Sequence, residues 1–552
     1  MPTITFSLKD IQKLVGKNLT IEELSALLEF GKCELEDYQK DEDEVTVSLG
    51  DTNLPYLWSV EGIARMIKGI LGKEKGCPKL KTAKGPYKIL VDPSVAKVRP
   101  YIAAFVAKGC KVDDYLIKQI VQLQEKLCES YGRRRDKLAL GVYKYDKIKF
   151  PIHYKATHPT STSFIPLDFK KEMTQQEILE DHPKGREYAW ILKDQKKLPL
   201  LVDDSKEVLS FPPIINSALT GKIEPGDENI FVEATGTDMD SVLLAINIFA
   251  YALSDRGFEI NSVEVKYQKK KVVTPASFDD SIKINFANVR KMLGVDINDA
   301  EIRKSLEKAR YDTAKDSVLI PDYRRDILHE VDVVEDIAIF FGYDRIKESR
   351  LSSYSLGETY PLVHFIDKVR ELLIGLSVHE IISPILSNKE ILYNKMNLKD
   401  FGTVEIENMM SETYSVLRSW LIPLLLDFLS KNKHVEYPQN IFEQGLVSVR
   451  DVDEVYDYER VAVVLCSEKS DFTKIKKVLN ALFLALGLEY KIEEAAHGSF
   501  IEGRVGRVSV AGKKVAYIGE MHPSVLQNFG IEAPVAALEI NLTELFSLVG
   551  KK

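Results

Sequence analysis

The sequence predicts a multidomain protein of α/β and α+β class, and three observations predict it. Its 552 residues exceed the size at which a single hydrophobic core stops growing, so three or four domains are expected. Between residues 86 and 265 apolar strands alternate with long helical segments, the pattern of a layered α/β domain. A strand-helix-helix pattern occurs at the N-terminus and again near residue 290, on either side of that region.

Residues 1–80 open on the alternating strand TITFS and the helix LKDIQKLVG. In the second helix, TIEELSALLEF, Thr20 and Glu23 stand at capping-box spacing. The strand VTVSL leads into DTNLPYLWSVEGIARMIKGILG, a polar turn feeding a helix, and KEKGCPKLKTAKGP reads as a linker. Residues 86–265 carry the strands YKILVD, YIAAFVA, LPLLVD and NIFVEATGT. Their longest helices are VDDYLIKQIVQLQEKLCESYG and MDSVLLAINIFAYALSDRG, and the loops between are the natural place for a site. Residues 272–348 form a small module. Placing Gly16 on Gly294 without a gap brings Ile11, Leu14, Leu24 and Leu28 onto Val289, Met292, Ile302 and Leu306, which reads as one unit used twice. From 355 to 552 the pattern is mixed α+β, with the helices PLVHFIDKVRELLIGL and SWLIPLLLDFLSKN, the strand HEIISPIL, and strands and helices alternating to the end.

Composition narrows the function classes. A net charge of −8 is no footprint of a protein that grips nucleic acid with its whole surface. The runs GRRRDK and QKKKVV remain as local places for phosphate or as solvated loops. Cys33, Cys77, Cys110, Cys128 and Cys466 are odd in number and never form C-x-x-C, which argues for reduced thiols and against a zinc site. MPTITFSLKD lacks the charged and apolar regions of a secretory signal, and SWLIPLLLDFL is shorter than the ~20 residues of a membrane span. A cytoplasmic protein without a membrane partner is expected.

The stretch RRDILHEVDVVEDIAIFFGYDRI combines an apolar helical stripe (Val331, Val334, Ala338, Phe341) with crowded acids. Asp332, Glu335 and Asp336 share one helix face and repel one another unless a cation sits among them. Asp326 precedes the first turn. Two readings stand side by side: an N-cap at Asp326 with a solvated acidic face, or a cation site. Elsewhere the phosphate-cradling, dinucleotide, serine-hydrolase and H-E-x-x-H motifs are missing from the sequence. His153 and His158 have no fixed partner.

Seven stretches read together are more specific: NLPYLWSVEGIAR, LSFPPIINSALTGKI, FVEATGTD, YRRDILHEVDVVEDIAIFFGYDRI, LRSWLIPLLLDFL, IFEQG and GEMHPSVLQNFGI. In this order they resemble the beta subunit of phenylalanine-tRNA ligase (phenylalanyl-tRNA synthetase) in its short archaeal and eukaryotic form, over nearly the whole chain. The resemblance implies a ligase subunit whose alpha partner, in an alpha2beta2 heterotetramer, binds ATP and phenylalanine and charges tRNA(Phe). It implies that 86–265 is a tRNA-editing domain, that 272–348 is winged-helix-like, and that 355–552 is an antiparallel class II synthetase-like domain without chemistry. Arg418 is then structural.

Editing follows from discrimination. Tyrosine carries one hydroxyl more than phenylalanine, and an apolar pocket rejects such an analogue by only about two orders of magnitude. A second site favouring the hydroxyl removes the error. The family's pocket matches Leu201 as an apolar wall, Ser210 and Thr235 as polar lining, Glu233 as acceptor of the phenolic proton and Asn216 near the ester. Glu233 stands where an aspartate is expected. The spacing of Asp326, Asp332, Glu335 and Asp336 matches the family's magnesium-associated set; Mg²⁺ takes one or two carboxylates directly and keeps several waters, and its implied role is joining the subunits. Two other readings stay open: a scaffold that binds RNA or protein without catalysis, and a free-standing deacylase.

Overall fold

Local chemistry sets the first elements. In this computed structural model, which describes residues 2–549, the strand Thr3–Ser7 passes into the helix Leu8–Val15, whose end Gly16 makes at φ +69°. Thr20 and Glu23 form the expected capping box of the helix Ile21–Leu28. The strands Thr3–Ser7, Glu44–Leu49 and Cys33–Gln39 make an antiparallel sheet in that spatial order. The later module repeats it: Ser281–Lys283, Ser317–Leu319 and Asp312–Thr313 pair in the same first-third-second order. Its helices are Phe286–Leu293, ended by Gly294 at φ +66°, and Asp299–Lys308. The repetition read from sequence is therefore one of topology.

Between these modules lies a ten-stranded mixed sheet. Thr82–Val91 pairs in parallel with Glu259–Lys266 and with Ile152–Thr157, and the remaining pairs are antiparallel. Thr82 lies within the expected linker, so the strand begins earlier than the glycine- and lysine-rich composition suggests. Along the sheet, Ile215–Asn216 and Val208–Phe211 stand at one end, and Asn229–Gly236 and Leu138–Lys144 at the other. The sheet curls until these ends meet: the amide of Lys144 donates to the Thr220 carbonyl at 2.8 Å, and Tyr143 Oη reaches Ser210 Oγ at 2.9 Å. Met239–Asp255 packs on the outer face, while Leu201, Tyr143, Tyr154 and Phe231 share a separate apolar cluster.

The chain divides into two units, Met1–Arg350 and Leu351–Lys552. In the first, one buried cluster runs from Ile4 to Phe340, so its three main sheets share a core. The second unit is built on a seven-stranded sheet. Its edge pair, His379–Glu380 with Gln439–Asp451, is parallel, and its other pairs are antiparallel. Helices Pro361–Gly375 and Phe472–Ala485 contribute to one apolar cluster, and Ile422–Lys431 and Pro523–Phe529 to another. The expected strand HEIISPIL shrinks to His379–Glu380 and Leu386–Ser387. Arg418 forms a buried ion pair with Glu443, and a Cβ on Gly445 would run into its guanidinium, which fits a structural role.

All five cysteines are free thiols. Among the described residues no helix is long and apolar enough to cross a membrane.

Candidate functional site

Where the curled ends meet, a cavity of about 150 Å³ opens, room for about one six-membered ring. Ser210, Asn216, Glu233 and Thr235 line it, with Phe211, Ile214 and Leu140 among its apolar walls. Four of the five residues expected in the pocket are thus brought together. Leu201 is the exception: it is fully buried, pairs in register with Ser210, and belongs to the apolar cluster that also holds Tyr143. It supports the site without lining it.

Glu233 is 3 % exposed. Its Oε1 lies 2.8 Å from Tyr143 Oη, whose single proton goes to the carboxylate, while Ser210 Oγ, 2.9 Å away, can donate to the phenol oxygen. Glu233 Oε2 is buried and has no hydrogen-bond partner among the described residues. Burial pushes the carboxyl up to about 7, tempered by the Tyr143 hydrogen bond and the charge of Arg99. Burial also raises the Tyr143 phenol well above its ordinary value, and the neighbouring Glu233 charge adds to it.

Gly141 faces Glu233 across the strand pair, and a Cβ there would stand 2.6 Å from Oε1. Arg99, 1 % exposed, holds Thr235 through its hydroxyl at 3.1 Å and its carbonyl at 2.8 Å. Asn216 reaches the Val142 carbonyl across the closure at 3.4 Å. Sequence reasoning missed Tyr143, Arg99 and Gly141. The strand LGVYK carried a local signal only in the glycine between apolar residues. His153 and His158 stand outside the cavity lining; His153 faces Asp204, and His158 the hydroxyl of Thr160.

The acidic set lines a second cavity, of about 130 Å³, together with Lys32, Asp51 and Arg324. The helix runs Glu330–Phe341, and its N-cap is His329, not Asp326: His329 Nδ1 accepts from the Val331 amide. Asp332 completes that cap, its Oδ2 accepting from the amides of Leu328 and His329 at 2.8 Å each. Asp326 instead pairs with Arg324, which also reaches Asp336 Oδ2 at 2.7 Å, and Tyr311 donates to the same oxygen at 2.5 Å. Glu335 pairs with Lys32 at 2.9 Å.

The helix buries Val333, Val334, Ile337, Ala338 and Phe340, while Val331, expected on the apolar stripe, is largely exposed. Arg324 is buried, yet the three ring and carboxylate neighbours Asp336, Tyr311 and Tyr56 hold its charge well above the ordinary range against desolvation. Among the described residues no three His, Cys, Asp or Glu side chains gather closely enough to hold a metal by themselves. The four carboxylates share a cavity, where protein cations and amides engage each of them.

Comparison with known proteins gives these two sites their context. The description "Phenylalanyl tRNA synthetase beta chain CLM domain" matches residues 349–542, and "tRNA synthetase B5 domain" matches 282–343, the module with the acidic helix. The phenylalanine–tRNA ligase beta subunit of Pyrococcus horikoshii is 41% identical over 99% of this chain and 100% of its own length. The chain belongs to the phenylalanine–tRNA ligase beta-subunit family.

The Archaeoglobus fulgidus beta subunit is 38% identical over 99% of both chains. The crystal structure of an N-terminal fragment of the Pyrococcus horikoshii phenylalanyl-tRNA synthetase beta subunit matches with a TM-score of 0.60 and 40% identity, covering 62% of this chain and all of the fragment. The ligase-subunit reading of the sequence is thereby borne out, as is a mixed α/β multidomain architecture.

Proposed function

We propose that this beta subunit hydrolyses tRNA(Phe) mischarged with tyrosine, in the cavity around Glu233. The observation that carries the reading is the buried Glu233 Oε2, without a hydrogen-bond partner among the described residues, beside a ring-sized cavity with polar and apolar walls. A phenol entering that slot finds its acceptor, whereas phenylalanine would leave a buried carboxylate oxygen bare, and an unpaired buried polar group is costly. Tyr143 on Oε1 is a resident example of the same phenol–carboxylate pair. Thr235 and Ser210 hold the wall, and Asn216 lies at the rim toward the ester. In this reading Glu233 is engaged by the phenol, so backbone groups and the ribose hydroxyls of the tRNA position the water. Glu233→Ala in the assembled enzyme is expected to slow Tyr-tRNA(Phe) deacylation by about tenfold or more, the cost of one charged hydrogen bond. Unchanged deacylation would discard the assignment.

The beta-subunit identity of its relatives implies an alpha partner and a tRNA, and we infer the heterotetramer in which that partner binds ATP and phenylalanine. Residues 1–80 and 272–348 are then flanking modules of the editing domain 86–265, and 355–552 is a catalytically silent class II synthetase-like domain. Ligases of this kind generally depend on Mg²⁺. Asp326, Asp332, Glu335 and Asp336 act as half of a magnesium site that the alpha partner completes, which supplies assembly rather than chemistry. Their common cavity supports this reading. A Mg²⁺ titration of the complex should show bound metal lost with Glu335→Gln; equal metal and equal assembly would remove the ion from this set.

A further inference from the structure

We propose that Arg133 and Arg134 form a docking site for the phosphodiester backbone of the RNA acceptor strand at the mouth of the Glu233 cavity. The inference rests on the deacylation reading and adds to it the residues that seat the strand. Three consecutive non-glycine residues, Arg133, Arg134 and Arg135, hold φ of +50°, +52° and +67°, a left-handed region that L-residues adopt singly and at a cost. Such strain persists where surrounding contacts impose it.

Those contacts are present. The amides of Arg134 and Arg135 donate to Glu129 and Cys128 at 2.9 and 3.0 Å, and Lys137 closes the loop on Gly132 at 2.9 Å. From below, the buried Arg99 donates to the carbonyls of Arg135 and Asp136 at 3.0 and 2.9 Å and, with the same guanidinium, to Thr235. One side chain therefore ties the loop to the strand that carries Glu233.

The three arginines then divide. Arg135 lines the cavity, donates to the Ile214 carbonyl at 3.0 Å and pairs with Glu129 at 3.6 Å. The neighbouring cations Lys137 and Lys184 are paired with Asp238 and Glu187. Arg133 and Arg134 are exposed and make no side-chain hydrogen bond or ion pair among the described residues, and Asp136 is the only acid of the loop. A strained, clamped turn whose third arginine lines the cavity thus presents two exposed guanidinium groups, one and two residues before it, next to the site that the deacylation reading assigns to the end of a tRNA. Guanidinium forks bind phosphate in two-point fashion, and backbone contacts position a strand without reading its sequence.

The test uses the assembled enzyme with Arg133→Gly/Arg134→Gly, which suits the left-handed backbone, and Arg133→Lys/Arg134→Lys, which keeps the charge. For Tyr-tRNA(Phe) deacylation the glycine variant is expected to raise KM about tenfold with kcat retained. It should also flatten the salt dependence of log kcat/KM by about 1.4, for two phosphates at ~0.7 each. Phenylalanine charging should keep its KM, and the lysine variant should recover most of the loss. Fluorescence anisotropy with a short single-stranded RNA of acceptor-end sequence gives a readout without hydrolysis. If the unmodified enzyme fails to deacylate, the editing reading falls, and RNA affinity alone decides the loop. Unchanged RNA affinity and salt slope in the glycine variant overturn the proposal.

Discussion

Glu233 is a buried carboxyl of the cavity, and its surroundings hold it near neutrality. Burial pushes it up to about 7 from an ordinary 4.5. A carboxyl raised on folding takes up protons relative to the unfolded chain between those values, so this group's contribution to stability is greatest below 4.5 and falls as pH rises toward 7. At pH 8 the ionised, buried carboxylate costs about 3 kcal/mol. Glu233→Gln should therefore match the unmodified chain at pH 4.5 and exceed it by a few kcal/mol at pH 8, in denaturant unfolding followed across pH. A gap that does not open with pH would show that the carboxyl is not the buried acid described here. Gly141 makes a second, steric test. A Cβ on Gly141 would run into Tyr143 Oη and stand 2.6 Å from Glu233 Oε1, so Gly141→Ala must displace Tyr143 or the carboxylate. Deacylation of Tyr-tRNA(Phe) is expected to drop about tenfold, one charged hydrogen bond misplaced, with phenylalanine charging intact. Equal rates would mean that the carboxylate is not held for the substrate.

At the scale of elements, the helix Glu330–Phe341 shows why a carboxylate has more than one use. Asp332 accepts from two amides at its start, so Asp332→Ala should lose about 1 kcal/mol of stability, read from the urea midpoint, before any metal is considered. Asp332→Asn keeps an acceptor and should lose less; equal losses would deny the capping role. Elements fixed by neighbouring residues were legible in the sequence. The Thr20–Glu23 capping box, the Gly16 and Gly294 helix ends and the doubled strand-helix-helix unit all rest on contacts a few residues apart. The strands of the pocket were legible as strands, and the family resemblance named four residues that the fold does bring together. The partners were not legible. Tyr143, Arg99 and Gly141 meet Glu233 and Thr235 only because the sheet curls, and Leu201 sits behind the cavity for the same reason. His329 holds the cap expected of Asp326 because the helix begins only at Glu330, four residues beyond Asp326, which pairs with Arg324 instead.

For the unit Met1–Arg350 as a whole, the decisive feature is the single core. Sequence patterning separates 1–80, 86–265 and 272–348, yet one buried cluster runs from Ile4 to Phe340, and polar contacts stitch the same parts. Arg256 pairs with Asp10 at 2.6 Å and with Glu61 at 2.5 Å, and Arg65 lies 4.8 Å from the Tyr323 ring. Phe30 packs on Phe340 at 5.7 Å, and Lys32 joins Glu335. Arg324 stands at the junction, near the rings of Tyr56 and Tyr311 and between Asp326 and Asp336. Modules that share apolar surface in this way unfold together, because separating them exposes the common core. A fragment of residues 1–350 is therefore expected to melt in one cooperative transition, by circular dichroism and by fluorescence alike. Arg324→Leu leaves Asp326 and Asp336 as uncompensated, mostly buried charges, which costs about 3–5 kcal/mol. That loss should lower the single transition as a unit. If Arg324→Leu instead releases only the 272–348 module in a separate early transition, while the rest melts unchanged, the modules are independent and the shared core is not what holds them together.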